Sequence, residues 1–107
     1  MFAHIVEFVP KHEKKDEFIK TTKNEVLPIF KKQTGFLEIL PLFPETKNEK
    51  FIGITLWTEK KDAERYERDV LSKVEEIWRP YMTSPMTWKM YAVESTLCQH
   101  FVEALAA

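Results

Sequence analysis

The residues of this chain best suited to chemistry are one histidine in an apolar run and a group of aromatics with polar tips. His4 interrupts FAHIVEFV, residues 2–9, and imidazole is the side chain whose ordinary pKa lies nearest neutrality. Held in an apolar site, it could act as a general base that draws a proton from a bound ligand. Trp57, Tyr66, Trp78, Tyr81, Trp88 and Tyr91 could line a flat, water-excluding cavity for a ring system, with Gly53 leaving room beside it. Glu38 stands alone as a carboxylate in an apolar strand and could partner a proton or orient a histidine. Each of these residues also has a plainer reading. A histidine on an apolar strand can be a hydrogen-bonded core residue, a strand carboxylate a rim charge, and amphipathic aromatics ordinary packing. Cys98 and His100 are two residues apart, so on a helix they point to different sides, and no third ligand follows at zinc spacing; no metal is expected. Glycine-rich phosphate loops, nucleophile elbows and dinucleotide fingerprints are missing from the sequence.

The elements that must position these residues are organised around FIGITLWTEKKDAERY, residues 51–66. Ile52, Ile54 and Leu56 alternate with Phe51, Gly53, Thr55 and Trp57, the period of a strand. Thr58 is the expected N-cap of a helix that Asp62 supports with negative charge. Ala63, Tyr66, Val70, Val74, Ile77 and Tyr81 then recur at helical spacing, so a long helix is expected over about 60–78, stopped by Pro80. Upstream, residues 2–9 form a first strand closed by Pro10. A helix over about 14–33 follows, kinked at Pro28 and ended by Gly35. Residues 36–43 make a second strand, joined to the third by a polar turn at 44–49. A fourth strand is expected at 87–94 and an amphipathic tail helix at 97–107, with Leu97, Phe101, Val102 and Leu105 packing onto a partner or over the cavity mouth.

The order β-α-β-β-α-β gives an α+β, ferredoxin-like fold in one domain, an antiparallel four-stranded sheet with both helices on one face. The first three strands are nevertheless apolar on both faces, whereas a sheet with one wet face should alternate. A second copy laid sheet against sheet resolves this, and a homodimer closing a barrel-like core is expected.

Composition fits such a domain. The chain has 107 residues, 44% of them hydrophobic and 13% aromatic, which is enough for a packed core. A formal net charge of -1, with lysines mixed among glutamates, lacks the clustered basic face that nucleic acid binding needs. A single cysteine excludes an internal disulfide, and no run reaches the roughly 20 apolar residues of a membrane span. No secretory leader is evident, so a cytoplasmic location is the expectation.

The β-α-β-β-α-β order, the segment GFLEILPL and the join ITLW-x-x-K-x-D-A-x-x-Y resemble the antibiotic biosynthesis monooxygenase family of dimeric α/β barrels, over roughly residues 2–94. That family includes cofactor-independent oxygenases of aromatic polyketides, quinol monooxygenases and haem-degrading enzymes. In the haem-degrading branch an aromatic at the place of Tyr66 lies over the haem, and a histidine about three turns on ligates the iron. Here that region reads Lys73-Val74-Glu75-Glu76-Ile77, and strand 1 offers His4 and Glu7 where an asparagine is expected. In the polyketide-oxidising branch a tryptophan ending strand 3 and a tyrosine on the next helix line the site, and Trp57 and Tyr66 match those types. The resemblance therefore implies a monooxygenase without a cofactor, acting on a small aromatic or quinol. It would use His4 as base, with Trp57, Tyr66, Tyr91, Trp78 and Glu38 around the substrate. A non-catalytic ligand-binding or stress-response homodimer of the same fold is the alternative.

Overall fold

A computed structural model describes residues 1–94 and bears out the expected element order. The strands are β1 (Phe2–Phe8), β2 (Phe36–Leu42), β3 (Phe51–Trp57) and β4 (Thr87–Ala92). All pair antiparallel in the order β2-β3-β1-β4, so β1 and β3 are central and β2 and β4 are edges. The register makes rows across the sheet. On the helix side run Pro41–Gly53–Val6–Trp88, Ile39–Thr55–His4–Met90 and Phe36–Trp57–Phe2–Ala92. Residues directly opposite share a face, so His4 lies with the core-facing set and not on the open side.

The first helical stretch is α1 (Lys15–Thr21), a π-helical turn (Thr22–Val26) and α2 (Leu27–Lys31). Pro28 has no amide to give the carbonyl four residues back. The wider turn accommodates it: the Leu27 amide bonds the Thr22 carbonyl, five residues back. The kink expected at Pro28 is thus taken up one turn earlier. Gly35 then ends the segment with φ 82°, the left-handed conformation glycine adopts without strain.

The second helical stretch differs from expectation at both its start and its middle. Glu59, not Thr58, is the N-cap of α3 (Lys60–Asp69), in a reciprocal box with Asp62, whose carboxylate accepts the Glu59 amide at 3.3 Å. Thr58 instead points back, its amide and hydroxyl both bonding the Gly35 carbonyl at 2.8 and 3.3 Å. Val70 leaves helical geometry (φ -127°, ψ -31°), dividing the expected single helix into α3 and α4 (Leu71–Trp78). The break re-phases the buried stripe, which passes from Ala63 and Tyr66 to Leu71, Val74 and Trp78 while Ile77 is only half-buried.

Phe8, Phe18, Phe51 and Trp78 form the centre of the core, with ring centroids 4.9–5.9 Å apart. Each such ring stabilises the fold by about 1.5–3 kcal/mol through area removed from water alone. On the other side of the sheet the rows are Leu42–Ile52–Glu7–Thr87, Leu40–Ile54–Ile5–Lys89 and Glu38–Leu56–Ala3–Tyr91. Leu40, Leu42 and Tyr91 are exposed there, at 37%, 49% and 50%. The expected tail helix lies outside the described residues. Among the described residues no helix is long and apolar enough to cross a membrane.

Candidate active site

His4 is 1% exposed, and its Nε2 lies 3.1 Å from Oε1 of Glu67. A carboxylate only accepts, so Nε2 carries the proton and the lone pair of the neutral ring is on Nδ1. Burial lowers the His4 pKa below its ordinary 6.5, and the bond and charge of Glu67 pull partly the other way. The imidazole is therefore neutral at pH 7, the state a base requires. Glu67 is 31% exposed, so the pair leads from the interior to water.

Tyr66 meets the His4 ring edge to face at 5.3 Å, stacks on Trp57 at 5.0 Å and lies 4.9 Å from Phe30. Burial, followed by the nearby Glu67 carboxylate, raises its phenol pKa far above the ordinary value. Tyr66 thus stays protonated and can donate but not act as base. Thr55 ties the floor together, donating to the His4 carbonyl at 3.3 Å and accepting from Trp57 Nε1 at 2.9 Å. Trp78 Nε1 donates to Thr22 Oγ1 at 2.9 Å, linking α4 to the π-helical turn.

The free space beside His4, enclosed by Phe30, Ile39, Thr55, Tyr66 and Trp78, is about 10 Å³. Outside it a groove of about 270 Å³ runs between α1, the π-helical turn and β2, lined by Ile19, Thr22, Leu27, Glu38, Ile39 and Pro41. Gly53 also lines the space beside His4, and a Cβ there would press on Val6 and Phe51 at 3.0 and 3.2 Å. It sits in regular register, whereas β2 carries a β-bulge between Phe36 and Glu38.

The structure brings together His4, Trp57, Tyr66 and Trp78 and separates them from Tyr91, which shares a row with Ala3 on the open face. Glu38 does not reach His4. Its Oε1 accepts the Ile39 amide at 2.9 Å, at the mouth of the groove. The histidine's carboxylate is Glu67, hidden in sequence within the charged run AERYERD. The signal that would have found it is spacing: four residues after buried Ala63 and adjacent to Tyr66, position 67 borders the sheet-facing stripe.

His4 also gives a pH signature. The unfolded chain takes a proton near pH 6.5 and the folded chain only at lower pH, so the unfolded state binds more protons below 6.5. Thermal stability should fall as pH drops below about 6.5, and His4→Gln should flatten that part of the profile. Equal slopes in the two melting-temperature profiles between pH 7.5 and 5 would exclude His4 as the group responsible.

No protein-family model matches the sequence, and no curated protein does. Solved structures match over most of their length. A monooxygenase of Streptomyces coelicolor in complex with nanaomycin D shares 15% identity at a TM-score of 0.71, covering 91% of this chain and 90% of that one. The cofactor-independent oxygenase SnoaB of Streptomyces nogalater shares 16% at 0.65, covering 90% and 95%. The heme-degrader MhuD of Mycobacterium tuberculosis, solved with two hemes in its active site, shares 15% at 0.72, covering 92% and 100%. At these identities the likeness establishes the fold, which is that of the antibiotic biosynthesis monooxygenases. The free space of about 10 Å³ beside His4 holds neither a haem nor a single ring while its lining stays in place.

Proposed function

We propose that this chain is a cofactor-independent monooxygenase that admits a small aromatic or quinol through the groove to His4, which deprotonates it. The observation that carries this reading is the buried His4–Glu67 pair, 3.1 Å apart, in a space that shares Ile39 with a groove of about 270 Å³. Such a substrate supplies its own electrons. His4 takes the phenolic proton, and the resulting anion reduces dioxygen and bonds one of its oxygens at a ring CH carbon ortho or para to the phenolic oxygen. The peroxide so formed takes up one proton, equal to the one His4 removed, and loses water to leave a quinone carbonyl. One oxygen atom stays on the ring, and the other departs as water with that proton and the single hydrogen of the attacked carbon. Glu67 stabilises the imidazolium formed on the way and passes the proton outward. Fold neighbours that are monooxygenases support the reaction class, and the cofactor-independent one supports chemistry driven by the substrate alone.

The functional unit in this reading is a homodimer, closed over the apolar row Leu40–Ile54–Ile5. One observation favours the alternative, a ligand-binding dimer without catalysis: the space at His4 is nearly filled. Oxygen uptake against a panel of quinols and polyphenols separates the two. Turnover should appear with single-ring substrates and fall by about 10²–10⁴-fold in His4→Ala, the range a positioned base contributes. Uptake that survives His4→Ala would remove His4 from the mechanism. Binding without uptake across the whole panel would establish the binding module instead.

A further inference from the structure

We infer that Ile39 decides which rings reach His4, an inference that rests on the function proposed above. Ile39 is the one residue common to the linings of the outer groove and of the space at His4. It stands in the sheet row Ile39–Thr55–His4, two strand spacings or about 10 Å from the base. A ring in the groove is therefore separated from His4 by this side chain above the Thr55 floor.

The position is suited to a door. β2 is an edge strand, and the bulge between Phe36 and Glu38 immediately precedes Ile39, so the residue can be displaced without breaking a central ladder. The facing wall is the π-helical turn. Thr22 lines the groove, and its hydroxyl holds Trp78, which lines the inner space. Aliphatic Ile39 thus moves against a wall fixed by a hydrogen bond. Groove and inner space together suit one planar ring carrying hydroxyls. A fused bicyclic ring would fill the groove and stop at Ile39.

Hydroquinone and 1-naphthol are the probes, with the His4 imidazole resonances read by NMR in the full chain. In the unaltered protein hydroquinone should shift His4, and 1-naphthol should shift groove residues such as Ile19 while leaving His4 unmoved. Ile39→Ala should let 1-naphthol reach His4 and move ring preference toward the bicycle by about 10- to 100-fold, as removal of a few carbons from an apolar wall does. Ile39→Phe should bar both probes from His4. Melting curves and the conservative Ile39→Val, which should behave nearly as the unaltered protein, separate this effect from a folding defect. His4 shifts that are the same in all the proteins would overturn the role of Ile39. Oxygen uptake is scored independently. Access that Ile39 controls without uptake in any variant would keep the door and remove the oxygenase. Uptake lost in His4→Ala but with ring preference indifferent to Ile39 would do the reverse.

Discussion

Ile54→Lys should convert the proposed homodimer to a folded monomer. Ile54 lies on central strand β3, flanked in its row by Ile5 on β1 and Leu40 on β2, on the face that no helix of the described residues covers. In a monomer the lysine stem can lie along its neighbours and carry the ammonium into water, so the fold should survive. In a sheet-to-sheet dimer the same ammonium would be buried without a partner in each copy. Leaving one such charge unpaired costs about 3–5 kcal/mol, so the dissociation constant should rise at least about a hundredfold. Sedimentation velocity over a dilution series reads this directly, with melting curves as the control for folding. A variant that dimerises as tightly as the parent, or a parent that stays monomeric at every concentration, would rule out this face as the interface.

Gly35→Ala should be the most damaging single-methyl change in the described residues. Two penalties coincide there. The backbone is at φ 82°, and a Cβ would overlap the carboxylate of Asp62, which is 4% exposed. That carboxylate accepts the Glu59 amide and pairs with Arg65 at 3.2 Å, while the Gly35 carbonyl accepts from Thr58. The start of β2 and the start of α3 are therefore built against each other at this one point. The expected loss is about 2–4 kcal/mol, or a melting temperature lower by about 10–20 °C for a domain of this size. Asp62→Ala in the same chain should relieve the part of the overlap made by the carboxylate, while the Asp62 Cβ at 2.6 Å and the backbone strain remain, so the two changes should combine to less than their sum. Strict additivity in thermal melts would show that Asp62 and residue 35 do not compete for the same space.

Much of this architecture is written in local patterns. Alternation placed β3 at residues 51–57 correctly, and Gly35 and Pro28 punctuated the first helical stretch because each acts through its own backbone. The cap shifted from Thr58 to Glu59 because a distant carbonyl, that of Gly35, claimed Thr58, and no local rule sees a competitor more than twenty residues away. Val70 broke the second helix although its neighbours keep helical spacing, since the stripe had to be turned toward Leu71 and Trp78. The site was half legible. His4 was conspicuous as a polar residue among apolar ones, and Tyr66, Trp57 and Trp78 do gather near it. Its partner was not, because Glu67 looks like every other surface glutamate until the helix is docked. Tyr91 stands apart from this group by parity alone: on a strand one residue decides the face, and Met90 rather than Tyr91 shares the row of His4.

The strand order carries a consequence for how the molecule reaches this state. β1 is flanked by β3 on one side and β4 on the other, so the earliest strand in the chain is completed only by the last. Its pairs join residues as far apart as Phe2 and Ala92, and closing so long a loop must precede any gain from the contacts. Completing the sheet therefore requires a non-local pairing. Until Thr87 to Ala92 docks, the strand that bears His4 is itself an unprotected edge, open to pairing with any other extended chain nearby.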